Sequence, residues 1–227
     1  MSLYAGTSGF SYPAWRGRFY PAHLPAGRML AHYALHLNGV ELNGTFYRTP
    51  APEAFRGWLA ATPEGFRLCC KGHRGLTYSS PAFDKEGLAR LLGPQLSVLG
   101  PRRGPVLLQF PPTRTFDPGL LEGLLGALAL PAAVEFRHES WFGPETYAVL
   151  ARHGAALVVT EGERWPAAPA LDLAPFAYHR LRKAAYSRAE LRRLRGDLRA
   201  RAAGLEEVHA YFRHDPEAPF WARFMLE

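Results

Sequence analysis

The residues of this chain that could do acid–base or electrostatic chemistry recur at the ends of short apolar runs. Thr7 and Ser8 close LYAGTSG, Glu41 and Asn43 fall late in GVELNGTF, and Lys71 closes FRLCCKG. Gln109 ends the apolar part of PVLLQFPP, Glu135, Arg137 and His138 end AAVEFRH, Glu161 ends ALVVTEG, Arg180 ends FAYHRLR, and Tyr211 lies late in EVHAYFRH. Strand side chains alternate between faces, so Glu41 shares a face with Asn43, Glu135 with Arg137, and Tyr178 with Arg180. If one member of each pair points inward, carboxylates, an ammonium, guanidiniums and amides collect around one axis. Glu41 or Glu135 would then serve as general acid or base, and His138 is a further acid–base candidate. Lys71 and Arg137 would stabilise developing negative charge, while Asn43 and Gln109 orient a substrate and Ser8 and Arg180 add binding contacts. The same groups could instead do no more than satisfy one another at the end of a packed fold.

Composition sharpens the choice. The 227 residues include three lysines (Lys71, Lys85, Lys183) against twenty-four arginines, two asparagines (Asn38, Asn43) and two glutamines (Gln95, Gln109). A chain that uses Arg almost everywhere but places Lys, Asn and Gln at strand ends is choosing chemistry there, because Lys is a compact donor whose pKa shifts readily on burial. The aromatics Phe10, Tyr12, Trp15, Phe19, Tyr20, Phe46, Tyr47 and Trp141 follow strands, and an aromatic rim at a polar mouth suits sugar or base stacking. Tyr47 and Trp141 are therefore counted with the substrate-binding set.

Other classes receive less support. The sequence requires no cofactor; a divalent metal is compatible with it, but no His/Asp/Glu ligand spacing indicates one, and neither G-x-S-x-G nor a Walker loop occurs. Cys69 and Cys70 are adjacent and read as reduced core thiols. The net charge of +7 permits a polyanionic partner. Much of that excess lies in RAELRRLRGDLRARAAG, where Leu191, Leu194 and Leu198 form an apolar stripe and the arginines a solvated face. No apolar run reaches the ~18 residues of a membrane span, and the start lacks a signal pattern, so a cytoplasmic protein without a membrane partner is expected.

The elements that must position these groups follow from periodicity. Eight strand-like runs alternate with helical patterns: Leu30, Tyr33, Ala34 and Leu37 form a stripe in the first connection. Pro52, Asp84, Asp117 and Pro144 open helices in the next four, and Ser187 with Glu190 makes a capping box in the seventh. The sixth connection, ERWPAAPALDLAP, reads as loop. Strand–helix alternation implies parallel pairing. Eight units, without the G-x-G-x-x-G turn of an open dinucleotide-binding sheet, predict a single compact (β/α)₈ TIM-type barrel over residues 1–227, with function at the carboxyl ends of its strands.

Five blocks together resemble family 72 of the domains of unknown function, the YecE-like proteins. They are GTSGFSYPAWRGRFYP at 6–21, YALHLNGVELNGTFYRTP at 33–50, the Lys71 strand, VLLQFPPTRTF at 106–116 and VEFRHESW at 134–141. The resemblance implies a TIM-type barrel and no established reaction. Its motif positions fall on Gly6, Ser8, Glu41, Asn43, Tyr47, Lys71, Gln109, Glu135, Arg137, His138 and Trp141. The chain departs from the family pattern at Thr77-Tyr78, Glu161, Arg182-Lys183 and the segment FRHDPEAPFWARFMLE, which sets the sixth to eighth strand ends apart as the altered side.

The functional expectation is an enzyme acting on a small polar, phosphorylated or sugar-like substrate by carboxylate and lysine acid–base chemistry, in the manner of a hydrolase or isomerase. One alternative is a non-catalytic module holding an anion or nucleotide; another is endonuclease-like phosphodiester chemistry on nucleic acid.

Overall fold

Each of the eight apolar runs contributes strand, the sixth of them two short strands, and helices separate most of the runs. The computed structural model describes residues 2–80, 82–162 and 164–227. In chain order its elements begin β1 (Ser2–Ser8), α1 (Met29–Tyr33), β2 (Gly39–Leu42), α2 (Pro52–Ala61), β3 (Arg67–Cys70), α3 (Lys85–Ser97) and β4 (Val106–Gln109). They continue α4 (Pro118–Leu128), β5 (Ala132–Glu135), α5 (Pro144–Arg152), β6 (Ala156–Leu157), β7 (Val159–Glu161) and β8 (Phe176–Leu181). The chain ends with α6 (Arg188–Gly204), β9 (Glu207–Phe212) and α7 (Ala218–Leu226). The class is α/β with parallel sheets: a six-stranded sheet in the order β3-β2-β1-β9-β8-β7 and a three-stranded sheet β4-β5-β6. Isolated parallel bridges join Leu68 to Arg103 and Lys71 to Leu107, between β3 and the β4 side.

The sixth run, predicted as one strand, is divided at Val158. β6 pairs with β5 and β7 pairs with β8, so the chain changes partners there, and the Val158 amide still bonds to the Val134 carbonyl at 2.9 Å. The following connection contains no helix among its described residues, as its prolines predict. Local signals at the other helices are met by contacts. Asp84 accepts from the Gly87 amide (2.7 Å), Asp117 from the Leu120 amide (2.9 Å), and Ser187 and Glu190 form a reciprocal capping box. Helix α7 was not expected from the sequence; it buries Ala218, Pro219, Ala222 and Met225.

The strands sort their side chains by period two. Val40, Leu42, Leu68, Cys70, Leu108, Phe110, Val134 and Phe136 belong to the large core shared with the helices. The alternate positions Cys69, Leu107, Ala133, Tyr178 and Tyr211 form a second buried cluster on the opposite face. Both cysteines are buried and free. Two residues further along that second face come Lys71, Gln109, Glu135 and Arg180, so alternation carries the site residues out of one apolar cluster. β1 and β2 approach so closely that a Cβ at Gly6 would sit 1.9 Å from the Gly39 carbonyl oxygen, which only glycine permits. Tyr33 ties this corner, accepting from the Thr7 amide (2.8 Å) and donating to the Gly39 carbonyl (3.1 Å).

Candidate functional site

Glu41, at the end of β2, is fully buried and surrounded by donors. Its carboxylate accepts from Ser8 Oγ (2.7 Å), Tyr178 OH (3.0 Å), Arg180 Nε and Nη2 (2.9 and 2.7 Å) and Arg182 Nη2 (3.1 Å). Glu135, at the end of β5, accepts from Gln109 Nε2 (2.8 Å), Arg137 Nε (3.0 Å) and Arg180 Nη1. One guanidinium, Arg180 on β8, therefore bridges both carboxylates. Burial alone would raise the Glu41 pKa, but Arg180 and Arg182 outweigh it and hold the group well below the usual carboxylate range. Glu135 faces the same opposition, burial against Arg180 and Arg137, and is held down at about 2.

Lys71 differs from Arg137, Arg180 and Arg182, each of which is paired with a carboxylate. Its Nζ donates to Gln109 Oε1 (2.7 Å) and lies 3.9 Å from the centre of the Phe46 ring. Among the described residues no carboxylate is within ion-pairing distance of it. Burial lowers its pKa to about 8 and Arg180 pushes the same way, while Glu41 and Glu135 pull less strongly upward. Gln109 is fixed from both ends, its amide donating to Glu135 and its carbonyl accepting from Lys71, with Tyr78 OH also near at 3.4 Å. Burial and the adjacent Arg180 also lower Arg182, to about 10.

These groups floor a cavity of about 420 Å³. Ser8, Asn43, Tyr47, Lys71, Gln109, Glu135, Arg137 and Arg180 line it, as the sequence grouping anticipates. Glu41 lies beneath, reached only through its partners. The expectation of Glu41 as an acid or base does not fit these surroundings: an ionised carboxylate accepting five hydrogen bonds has little basicity to offer. Glu135, bonded to two guanidiniums and an amide, is in the same position. The guanidinium of Arg137 lies 4.8 Å from the centre of the Trp165 ring.

His138 and Trp141 do not line the cavity. Beyond the end of β5 the chain enters a 3₁₀ turn at Glu139–Trp141, so strand alternation no longer governs direction. His138 Nδ1 accepts from the Ser140 amide and contacts its hydroxyl, capping that turn. Trp141 is buried, stacked on Phe136 at 4.4 Å, with its indole N–H on the Arg114 carbonyl (2.7 Å). Trp15 and Tyr20 are likewise core residues rather than rim.

The altered side of the family pattern does contribute. Arg182 and His214 line the cavity, as do Tyr12, Thr160 and Trp165, and Tyr78 stands next to Gln109. Arg182 continues the Tyr178–Arg180 alternation, which was the available signal. Tyr12 stacks on His214 with ring centres 4.9 Å apart. The described lining holds Lys71, Arg137, Arg164, Arg180, Arg182 and Arg213 against the one lining carboxylate Glu135, with Glu41 below. Only Arg213 is neutralised separately, by both oxygens of Asp215. A cationic space of this kind suits an oxyanion. Among the described residues no group of three or more His, Cys, Asp or Glu side chains gathers so as to hold a metal. No helix among them is long and apolar enough to cross a membrane.

Known proteins share this architecture. A DUF72 family protein from Thermotoga maritima, solved by crystallography, superimposes with a TM-score of 0.81 and 27% identity, covering 100% of this chain and 97% of that one. D-Psicose 3-epimerase from Clostridium cellulolyticum, solved with D-tagatose, shares the fold at a TM-score of 0.55 and 11% identity, over 100% of this chain and 91% of that one. The UPF0759 protein YecE of Escherichia coli K12 is 32% identical over 146 residues, which are 62% of this chain and 50% of YecE. YunF of Bacillus subtilis is 27% identical over 155 residues, 64% of this chain and 54% of YunF. The matched stretch thus spans about half the length of these curated relatives. The family model for the protein of unknown function DUF72 matches residues 4–227, and the chain belongs to that family.

Proposed function

We propose that the two parallel sheets are arcs of one closed (β/α)₈ barrel forming a single domain, whose strand-end cavity is the active site of an enzyme for a small oxyanion-bearing, sugar-like substrate. The bridges between β3 and the β4 side, the continuation of β6 into β7 and the fold likeness to a TIM-barrel epimerase support closure. The observation that carries the chemistry is Lys71: a half-buried ammonium without a carboxylate partner among the described residues, poised to titrate near pH 8 in a cavity rich in guanidiniums. Lys71 is the proton-transfer group, and Arg182 and Arg137 hold the substrate's negative charge. Glu41 and Glu135 keep those cations fixed, so the charge that a transition state meets is already in place.

The test uses Lys71→Arg, which keeps the positive charge but cannot lose a proton near neutrality. Phosphorylated sugars and hydroxy acids are screened for thermal stabilisation and for turnover. The expected result is retained anion binding with turnover reduced by about 10²–10⁴-fold, the usual worth of an acid–base group. The parent's rate should depend on a group near pH 8. Unchanged turnover in the variant overturns the role of Lys71. Anion binding without turnover across the whole panel would support the second reading, a non-catalytic anion-binding module, which the same guanidiniums favour.

A further inference from the structure

We infer that the ligand of the strand-end cavity has two parts: an oxyanion head beside Lys71 and Arg182, and an apolar, ring-bearing body lying in a groove next to it. The inference rests on the anion-binding reading above and adds the substrate class. The groove has a volume of about 660 Å³ and lies between the loop after β1 and the start of α2. Phe10, Leu42, Pro50, Ala54 and Trp58 form its apolar walls, and Arg48 is its one charged lining residue.

Groove and cavity are neighbours that share two residues, Tyr12 and Asn43. Tyr12 is held in place: its hydroxyl donates to the Ser8 carbonyl (2.6 Å) and its ring stacks on His214. It stands at the junction as a fixed post. Asn43 is the opposite case. The chain's other asparagine, Asn38, uses both ends of its amide, accepting from the Ala5 amide and donating to the Leu3 carbonyl, both at 2.8 Å. The half-buried Asn43 side chain has no hydrogen-bond partner among the described residues, although it sits where the two spaces meet. An amide left available at such a junction suits the polar link between a charged head and an apolar body. The change of lining across that junction, from guanidiniums to Trp58, Phe10 and Leu42, matches an amphiphilic organic anion and not a bare inorganic ion.

Isothermal titration with inorganic phosphate and with 2-naphthyl phosphate tests this. Phosphate reads the cavity alone; the aryl ester reads both spaces. The parent should bind 2-naphthyl phosphate at least about tenfold more tightly than phosphate, equivalent to ~1.4 kcal/mol. A Cβ at Gly44, on the groove wall, would meet nothing within 4 Å, so Gly44→Leu can extend a side chain over the groove without displacing the backbone. That variant should bring the aryl ester to within about threefold of phosphate. Trp58→Ala, which removes a wall rather than filling the space, should also weaken the aryl ester selectively. Equal affinities in the parent, or a preference that survives both substitutions, overturn the two-part ligand and leave the anion site standing. If neither compound binds the parent, both the inference and the anion-binding reading fall.

Discussion

At the scale of single residues, Glu41 sets the electrostatics of the site. Removing its carboxylate leaves Arg182 without its carboxylate partner and the buried Arg180 with Glu135 alone. Glu41→Ala should therefore cost about 3–5 kcal/mol in a urea titration, the usual penalty for breaking a buried pair. A variant as stable as the parent would show that water already screens this network. The sign with pH follows from both carboxylates being held below their ordinary value of 4.5. Their stabilisation is complete above that value and is lost as pH falls through the folded values, about 2 for Glu135, so the denaturation midpoint should drop below pH 4.5. Period-two alternation made Glu41, Gln109, Glu135 and Arg180 legible in the sequence as a group. Their roles were not legible, because the partner that silences each carboxylate comes from a strand far away in the chain. His138 and Trp141 were misplaced for a local reason: they follow the strand, where a turn resets side-chain direction.

At the scale of elements, capping chemistry was readable because it is contained within four residues: Asp84, Asp117 and the Ser187–Glu190 pair each act on their own helix. Helix α7 was not readable. It begins only at the end of DPEAP, with Pro219 in its first turn, where proline is tolerated because the first-turn amides lack helical partners. Its stability comes from packing, with Ala222 and Met225 fully buried. Met225→Ala should thus destabilise the protein by about 2–5 kcal/mol, measurable by denaturant unfolding. A loss under 1 kcal/mol would mean that α7 only rests on the sheet. The break at Val158 was equally hidden, since an exchange of partner strands leaves the apolar pattern of a strand unchanged.

At the scale of the whole molecule, the eight alternating units were legible from sequence, and the seam between β3 and the β4 side was not. Across it the Gly72 amide bonds to the Leu107 carbonyl at 2.8 Å, and the Gly104 amide to the Leu68 carbonyl at 3.0 Å. If the proposed barrel is closed, these two amides should resist hydrogen exchange as strongly as those of β1, and exchange followed by NMR measures this directly. Fast exchange at both, with β1 protected, would mean two separate sheets.

Arg180 also bears on how the chain matures. It holds Glu41, 139 positions earlier, and Glu135, 45 positions earlier. A nascent chain released only to residue 170 contains both carboxylates and neither Arg180 nor Arg182. Such an intermediate cannot bury its own strand ends without stranding charge, and contacts this distant in sequence form late. The guanidinium that arranges the site thereby also delays its assembly until β8 has been made.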